Sequence, residues 1–247
     1  MLQKDRYRIG GMLMKKTARI AGIAFLLALI VPVLSTVFVY SRLTVPGNSA
    51  AIANNIMANE FLFRIGIASD LIVVIIGIVL VLVLYTILKT VNRDLALLAV
   101  FLKLVEGVLI TVIVLGNFFA LLVVTGQTSS TAVVPEHIQA LAGLFLTMRF
   151  SLFAIPMIFT GLGFMVFFSL FYSSKYIPKI LSGFGILSYV LIFLYALITI
   201  FLPDYASILI IQVICWAPSC IFELIIGLWL LVKGVKKSEQ VLSGASS

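Results

Sequence analysis

Charged side chains occur within segments of this sequence that are otherwise apolar. Lys103 and Glu106 lie one helical turn apart in one apolar segment. Glu223 lies about as far from the end of a later apolar segment as these two residues lie from the start of theirs. Two carboxylates that share one lysine leave one negative charge, so charge balance favours a proton on one of them. These residues predict a polar intramembrane pocket that binds or passes a proton, an ion or a small solute. A structural network that holds three helices in register fits the same pattern.

Two polar stripes extend this candidate pocket along its helices. Asn117 follows Glu106 by eleven residues and therefore returns to the same helical face. Gln212, Ser219 and Glu223 recur at spacings of seven and four residues, which again define one face. Both stripes are predicted to line the pocket.

A second ion pair is predicted between Asp70 and Arg149. Asp70 lies roughly 13 Å into its apolar segment by helix rise, and Arg149 lies at a similar depth in a segment that runs in the same direction. An unpaired charge near mid-membrane costs about 2.5–3.5 kcal/mol on translocon scales, so the two charges are expected to pair inside the bundle and to belong to the polar pocket. Glu60 and Arg64, one turn apart where the Asp70 segment begins, are expected to lie at the membrane interface.

Patterns of catalytic residues and metal ligands are absent from the sequence. Its one histidine, His137, lies beside Glu136 in a loop, and one histidine with one carboxylate does not make a metal site. No phosphate-binding loop, serine-nucleophile elbow or zinc-protease helix is found. We therefore expect no cofactor and no metal, and an enzyme is disfavoured.

Two other functions remain open at this point. One is a lipid-modifying intramembrane enzyme that uses Glu106 and Glu223 as acid and base. The other is an accessory or immunity-type subunit whose buried charges serve only assembly with a protein partner that the sequence does not name.

Six apolar segments account for nearly the whole chain. Of the 247 residues, 63% are hydrophobic and 11% charged, and the mean hydropathy of +1.26 excludes an ordinary soluble domain. A membrane-spanning helix needs about 20 apolar residues. The sequence predicts an all-α integral membrane protein, a bundle of six transmembrane helices between a basic leader (1–17) and a tail (233–247), with spans at about 18–41, 61–88, 95–125, 140–172, 182–202 and 207–232.

The net charge of +8 is concentrated in the leader, in two short turns and after the last span. In the loops on the opposite side of the membrane, the basic residue is Arg42 alone. By the positive-inside rule, both termini are expected in the cytoplasm, with anionic lipid headgroups as partners. Nucleic acid is not expected as a partner, because the basic residues are divided among four sites without an aromatic platform between them.

Several blocks of the sequence together resemble a known family. The segments VPGNSAAIANNIMANE, FLFRIGIASDLI, LYTILKTVNRDLALLAVFLKLVEG and YIPKILSGFGILSYV, followed by Pro218, Glu223 and LWLLVKG, are similar in order and spacing to the family labelled domain of unknown function 4386. This resemblance implies a multi-pass, usually six-helix protein of a bacterial or archaeal cytoplasmic membrane and implies no particular activity. The family's recurring polar positions correspond here to Glu60, Arg64, Asp70, Glu106 and Glu223. Near Lys103 the family has arginine, and lysine keeps the charge but loses bidentate pairing.

Overall fold

The computed structural model describes residues 2–45, 48–125 and 152–235. Within these ranges the chain is helical and contains no strand. A π-helical segment, Thr36–Tyr40, joins the first two helices. The helices are α1 (Leu2–Ser35), α2 (Ser41–Leu43), α3 (Ser49–Ala58), α4 (Glu60–Leu88), α5 (Arg93–Val124), α6 (Ala154–Ser174), α7 (Lys179–Phe201), α8 (Pro203–Ala206) and α9 (Leu209–Val232).

Six helical segments are long and apolar enough to cross a membrane, which confirms the predicted all-α, six-span architecture. The bounds of α4 and α5 nearly coincide with the predicted spans, whereas the first part of the predicted fourth span lies outside the described residues. Helices of this length and hydropathy indicate a multi-pass membrane protein. The six segments are Met14–Leu43, Glu60–Leu88, Arg93–Val124, Ala154–Ser174, Lys179–Phe201 and Leu209–Val232.

Local signals in the sequence set where several helices begin and end. The side chain of Asn92 accepts a hydrogen bond of 3.0 Å from the backbone N–H of Leu95 and so caps the start of α5. At the end of α6, Lys175 adopts the left-handed conformation with φ 56°, which stops the helix. Pro178 then precedes the first residue of α7. These short connections make consecutive long helices antiparallel neighbours.

The long helices form a closed ring in chain order. Each of α1, α4, α5, α6 and α7 packs against the next long helix, and α9 packs against both α7 and α1. The α1–α9 contact is close: a Cβ atom on Gly22 would lie 2.6 Å from the carbonyl oxygen of Gly227. In a ring of this order α5 stands opposite α9, and α1 stands opposite α6.

Aromatic side chains fill the ring towards one end. We call this the basic end, because the connections there carry Lys89, Arg93, Lys175 and Lys179. The rings of Phe164 and Tyr189 stack with centroids 4.4 Å apart, and Phe168 meets Phe222 edge-on at 4.6 Å. Phe25 of α1 reaches across to Phe164 of α6, with centroids 5.9 Å apart. A second buried cluster, which includes Tyr40, Ile56, Phe63 and Leu121, packs the opposite end. Exposed apolar side chains cover the outside of the ring, as a helix bundle in lipid requires.

Candidate functional site

Lys103 and Glu106 form an ion pair on the inner face of α5. Their side chains are 6% and 13% exposed, so both charges lie almost entirely within the ring. The Nζ atom of Lys103 also lies 4.2 Å from the centroid of the Phe164 ring, within the range of a cation–π contact. The lysine charge is therefore held by one carboxylate and one aromatic face.

Gly163 of α6 makes room for the lysine side chain. A Cβ atom at this position would lie 2.8 Å from Cγ and 3.0 Å from Cδ of Lys103. The aliphatic stem of Lys103 thus runs against the backbone of α6. Any larger residue at Gly163 would displace it.

Glu223 of α9 is bound by a tyrosine from α7. The hydroxyl of Tyr189 donates a hydrogen bond of 2.8 Å to Oε1 of Glu223. Tyr189 is fully buried, and its ring stacks on Phe164, which also contacts Lys103. The tyrosine therefore orients one carboxylate and packs against the ring that covers the lysine.

A cavity of about 140 Å³ lies between five of the six long helices and brings the charged residues together. Lys103, Glu106 and Glu223 line it, together with Thr160 of α6. The other lining residues are apolar: Phe25, Ala28, Val73, Val74, Gly77, Ile78, Leu80, Gly107, Ile110 and Phe164. The cavity is an apolar space with two carboxylates, one ammonium and one hydroxyl at its wall.

Asn117 and Gln212, which the polar stripes place with the pocket, do not line it. Asn117 is buried, but its Nδ2 atom has no hydrogen-bond partner among the described residues. Nε2 of Gln212 donates a hydrogen bond of 3.0 Å to the carbonyl oxygen of Ala206 in the connection before α9. Each residue shares a helical face with its glutamate, yet eleven residues carry the chain about 16 Å along the helix axis and beyond the pocket.

Asp70, which is also predicted to belong to the pocket, does not line the cavity. The hydroxyl of Tyr40, the last residue of the π-helical segment, donates a hydrogen bond of 2.6 Å to Oδ2 of Asp70. Gly66 gives Tyr40 space, because a Cβ atom there would lie 2.9 Å from the tyrosine oxygen. Arg149 lies outside the described residues, so the Asp70–Arg149 ion pair remains a prediction.

Glu60 and Arg64 pair at the start of α4. Nη2 of Arg64 lies 2.6 Å from Oε1 of Glu60, and both side chains are 39% exposed. Their separation by one helical turn explains the contact. This pair lies at the end of the helix and is not part of the cavity.

The family model for the domain of unknown function DUF4386 matches residues 20–234, which is most of the chain. The chain belongs to the DUF4386 family. No curated protein matches this DUF4386 chain. No solved structure matches it either.

One residue of the candidate site in this DUF4386 chain was missed by reasoning from the sequence. Tyr189 lies ten residues after the start of α7, and Glu223 lies ten residues before Lys233, the residue that follows α9. Both residues are therefore about 15 Å from the basic end by helix rise. A comparison of the depths of Tyr189 and Glu223 along their helices would have predicted this hydrogen bond.

The described part of this DUF4386 chain contains no group of three or more histidine, cysteine, aspartate and glutamate residues that could hold a metal ion. Cys215 and Cys220 are both free thiols. The polar side chains at the cavity wall are two carboxylates, one ammonium group and one hydroxyl, and the hydroxyl of Tyr189 donates to one of the carboxylates.

Proposed function

We propose that this DUF4386 protein binds, or passes across the membrane, a proton, an ion or a small solute at the cavity lined by Lys103, Glu106 and Glu223. One observation carries the proposal: charged side chains from α5 and α9, which stand opposite each other in the ring, line the same cavity. Intramembrane ionisable residues are costly to place and usually mark ion or substrate sites. Concave, mostly apolar pockets with a few polar groups are the common form of a binding site.

The arrangement of charges supports the same proposal. Lys103 is paired with Glu106, and Glu223 accepts its hydrogen bond from a neutral tyrosine. Two carboxylates and one ammonium group sum to one negative charge. An uncompensated charge is expensive in a low-dielectric interior, so the cavity favours one added positive charge, and a proton is the smallest that fits.

The test is the protonation of Glu223 and Glu106 in the purified protein, reconstituted in lipid. Infrared difference spectra between acid and alkaline buffer detect a protonated carboxyl group by its C=O stretch. We expect a buried carboxyl band that is lost in the Glu223→Gln or the Glu106→Gln variant. Glu60→Gln is the matched control, because Glu60 is a half-exposed carboxylate outside the cavity. A spectrum that neither cavity variant changes, in protein that still folds, would contradict the proposal.

For the orientation, we propose that both termini lie in the cytoplasm, in the cytoplasmic membrane of a bacterium or archaeon, with anionic headgroups against the basic end. Lysines occupy the connections at this end, and two of them lie over tyrosine rings: Lys89 is 5.9 Å from the centroid of Tyr85, and Lys179 is 5.3 Å from that of Tyr172. Tyrosine is enriched at both membrane interfaces, and lysine favours the cytoplasmic one, so the lysines support this orientation. A fluorescent-protein fusion at the C-terminus should be bright and an alkaline phosphatase fusion inactive; the reverse result would contradict this orientation.

A further inference from the structure

We infer that the cavity takes a small organic amine with a single positive charge, which reaches it from the hydrocarbon phase between α4 and α5. This inference rests on the proposed function and names the chemical class of its ligand. It depends on four features of the cavity: its charge, the chemistry of its wall, its volume and the helix faces that bound it.

The charged groups favour a singly charged cation. Lys103 and Glu106 satisfy each other, which leaves Glu223 with the hydrogen bond from the neutral hydroxyl of Tyr189. The hydroxyl of Thr160 donates to the carbonyl oxygen of Pro156 at 3.1 Å, so its oxygen can still accept a hydrogen bond from a ligand. An ammonium group has three donors and can be shared among the two carboxylates and this hydroxyl.

The wall of the cavity disfavours a bare metal cation. Hard cations such as Ca²⁺ take about six to eight oxygen ligands. The side-chain oxygens at this wall come from two carboxylates and one hydroxyl, and the remaining lining groups are Lys103 and apolar residues. A ligand that combines one charged group with an apolar body fits such a wall better than an inorganic ion does.

The volume of the cavity limits the apolar body. A cavity of roughly 150 Å³ lined by leucine, isoleucine and phenylalanine holds one benzene molecule. The present cavity of about 140 Å³ has valine, isoleucine and phenylalanine side chains in its wall. The apolar body of the ligand is therefore at most about one aromatic ring or a short alkyl chain.

Two glycines of the wall, on α4 and α5, leave open space beside the helix backbone. A Cβ atom on Gly77 would meet no heavy atom within 4 Å, and one on Gly107 would meet only Val74, at 3.9 Å. Ile78, next to Gly77, lines the cavity and is 42% exposed. Both glycines lie near the middle of long helices, so at this depth the surroundings of the ring are the hydrocarbon of the membrane.

A ligand that enters from hydrocarbon enters in its neutral form. A neutral amine that meets a protonated Glu223 takes the carboxyl proton on its nitrogen lone pair, which gives an ammonium–carboxylate pair. The O–H bond of the acid breaks, the new N–H bond forms and no other bond changes. The positive charge is thereby made inside the cavity and never crosses the hydrocarbon unpaired.

The test is calorimetric titration of the lipid-reconstituted protein with benzylamine, in parallel with benzyl alcohol as the neutral probe of the same shape. We expect benzylamine to bind and benzyl alcohol not to bind. Glu223→Gln should weaken benzylamine binding about tenfold or more, because a charge-assisted hydrogen bond is lost. Gly77→Leu should abolish binding by filling the cavity, whereas Gly183→Leu should not, since Gly183 has the same open surroundings but does not line the cavity.

Each outcome decides the inference. Equal binding of benzyl alcohol, benzylamine binding that Glu223→Gln leaves unchanged, or absence of benzylamine binding would each overturn it. If Glu223→Gln does not fold, the comparison of Gly77→Leu with Gly183→Leu decides, because neither variant alters the charges. An infrared carboxyl signal from Glu223 without benzylamine binding overturns the amine and leaves the proposed function standing. Absence of both overturns both.

Discussion

At the scale of the residue, the candidate site is a chain of contacts that begins at Glu106 and ends at Glu223. Glu106 pairs with Lys103, Lys103 lies over Phe164, Phe164 stacks on Tyr189, and Tyr189 donates to Glu223. An aromatic ring and a phenol thus connect two carboxylates that belong to different helices. In this series of contacts from Glu106 to Glu223, the last one is a hydrogen bond, and its donor is the neutral hydroxyl of Tyr189.

Replacing Tyr189 by phenylalanine removes that donor and keeps the aromatic packing. We expect a loss of about 1–3 kcal/mol in the free energy of unfolding, because Glu223 keeps its burial and loses a partner. The measurement is equilibrium unfolding in mixed detergent and SDS micelles. Tyr195→Phe is the control: its hydroxyl donates at 3.3 Å to the carbonyl oxygen of Ala206, which also accepts from Gln212. Equal losses in the two variants would contradict the role given to Tyr189.

At the scale of the element, glycines decide how closely the helices approach. Gly22 and Gly227 bring α1 and α9 together and so close the ring, and Gly163 seats Lys103 against α6. Small residues at such crossings are the usual means of packing helices in lipid, where apolar surface alone gives no preference for one neighbour over another. The π-helical segment Thr36–Tyr40 acts at the other end of α1, where its last residue bonds Asp70.

Gly22→Ala should therefore weaken the closure of the ring. The added Cβ would lie 2.6 Å from a backbone oxygen and 2.9 Å from the backbone nitrogen of Leu231, neither of which can rotate away. We expect a loss of about 1–3 kcal/mol in the free energy of unfolding, as for other overpacked sites. Gly183→Ala, where a Cβ meets nothing within 4 Å, should be neutral or stabilising by up to about 1 kcal/mol. Gly22→Ala without a measurable loss would show that α1 and α9 can separate at no cost.

At the scale of the whole molecule, the closed ring places the candidate site at its centre. The helices α5 and α9 are far apart in the chain and are not direct neighbours, yet both contribute charges to one cavity because they face each other across the ring. The order of the helices in the ring thus brings together charges that are distant in the sequence.

A double-mutant cycle of Lys103→Met and Glu223→Gln tests this arrangement. If both charges act on one cavity, the two effects on unfolding should differ from additivity by about 0.5–3 kcal/mol. Lys103→Met combined with Glu60→Gln is the control, since Glu60 pairs with Arg64 at the end of α4, and these effects should add within about 0.5 kcal/mol. Additive effects in both cycles would mean that α5 and α9 do not share a site.

The sequence by itself determined the helical class, the six spans and the contacts between residues one turn apart. Hydropathy and helical spacing are local properties, so they identify α4 and α5 and the pairs Lys103–Glu106 and Glu60–Arg64. One pocket for Lys103, Glu106 and Glu223 is predicted from their similar depth. The tertiary structure alone decided that Tyr189 donates to Glu223 and that Asn117 and Gln212 do not line the cavity. These outcomes depend on the order and rotation of helices that are apolar on nearly every face, and hydropathy does not distinguish one rotation of such a helix from another.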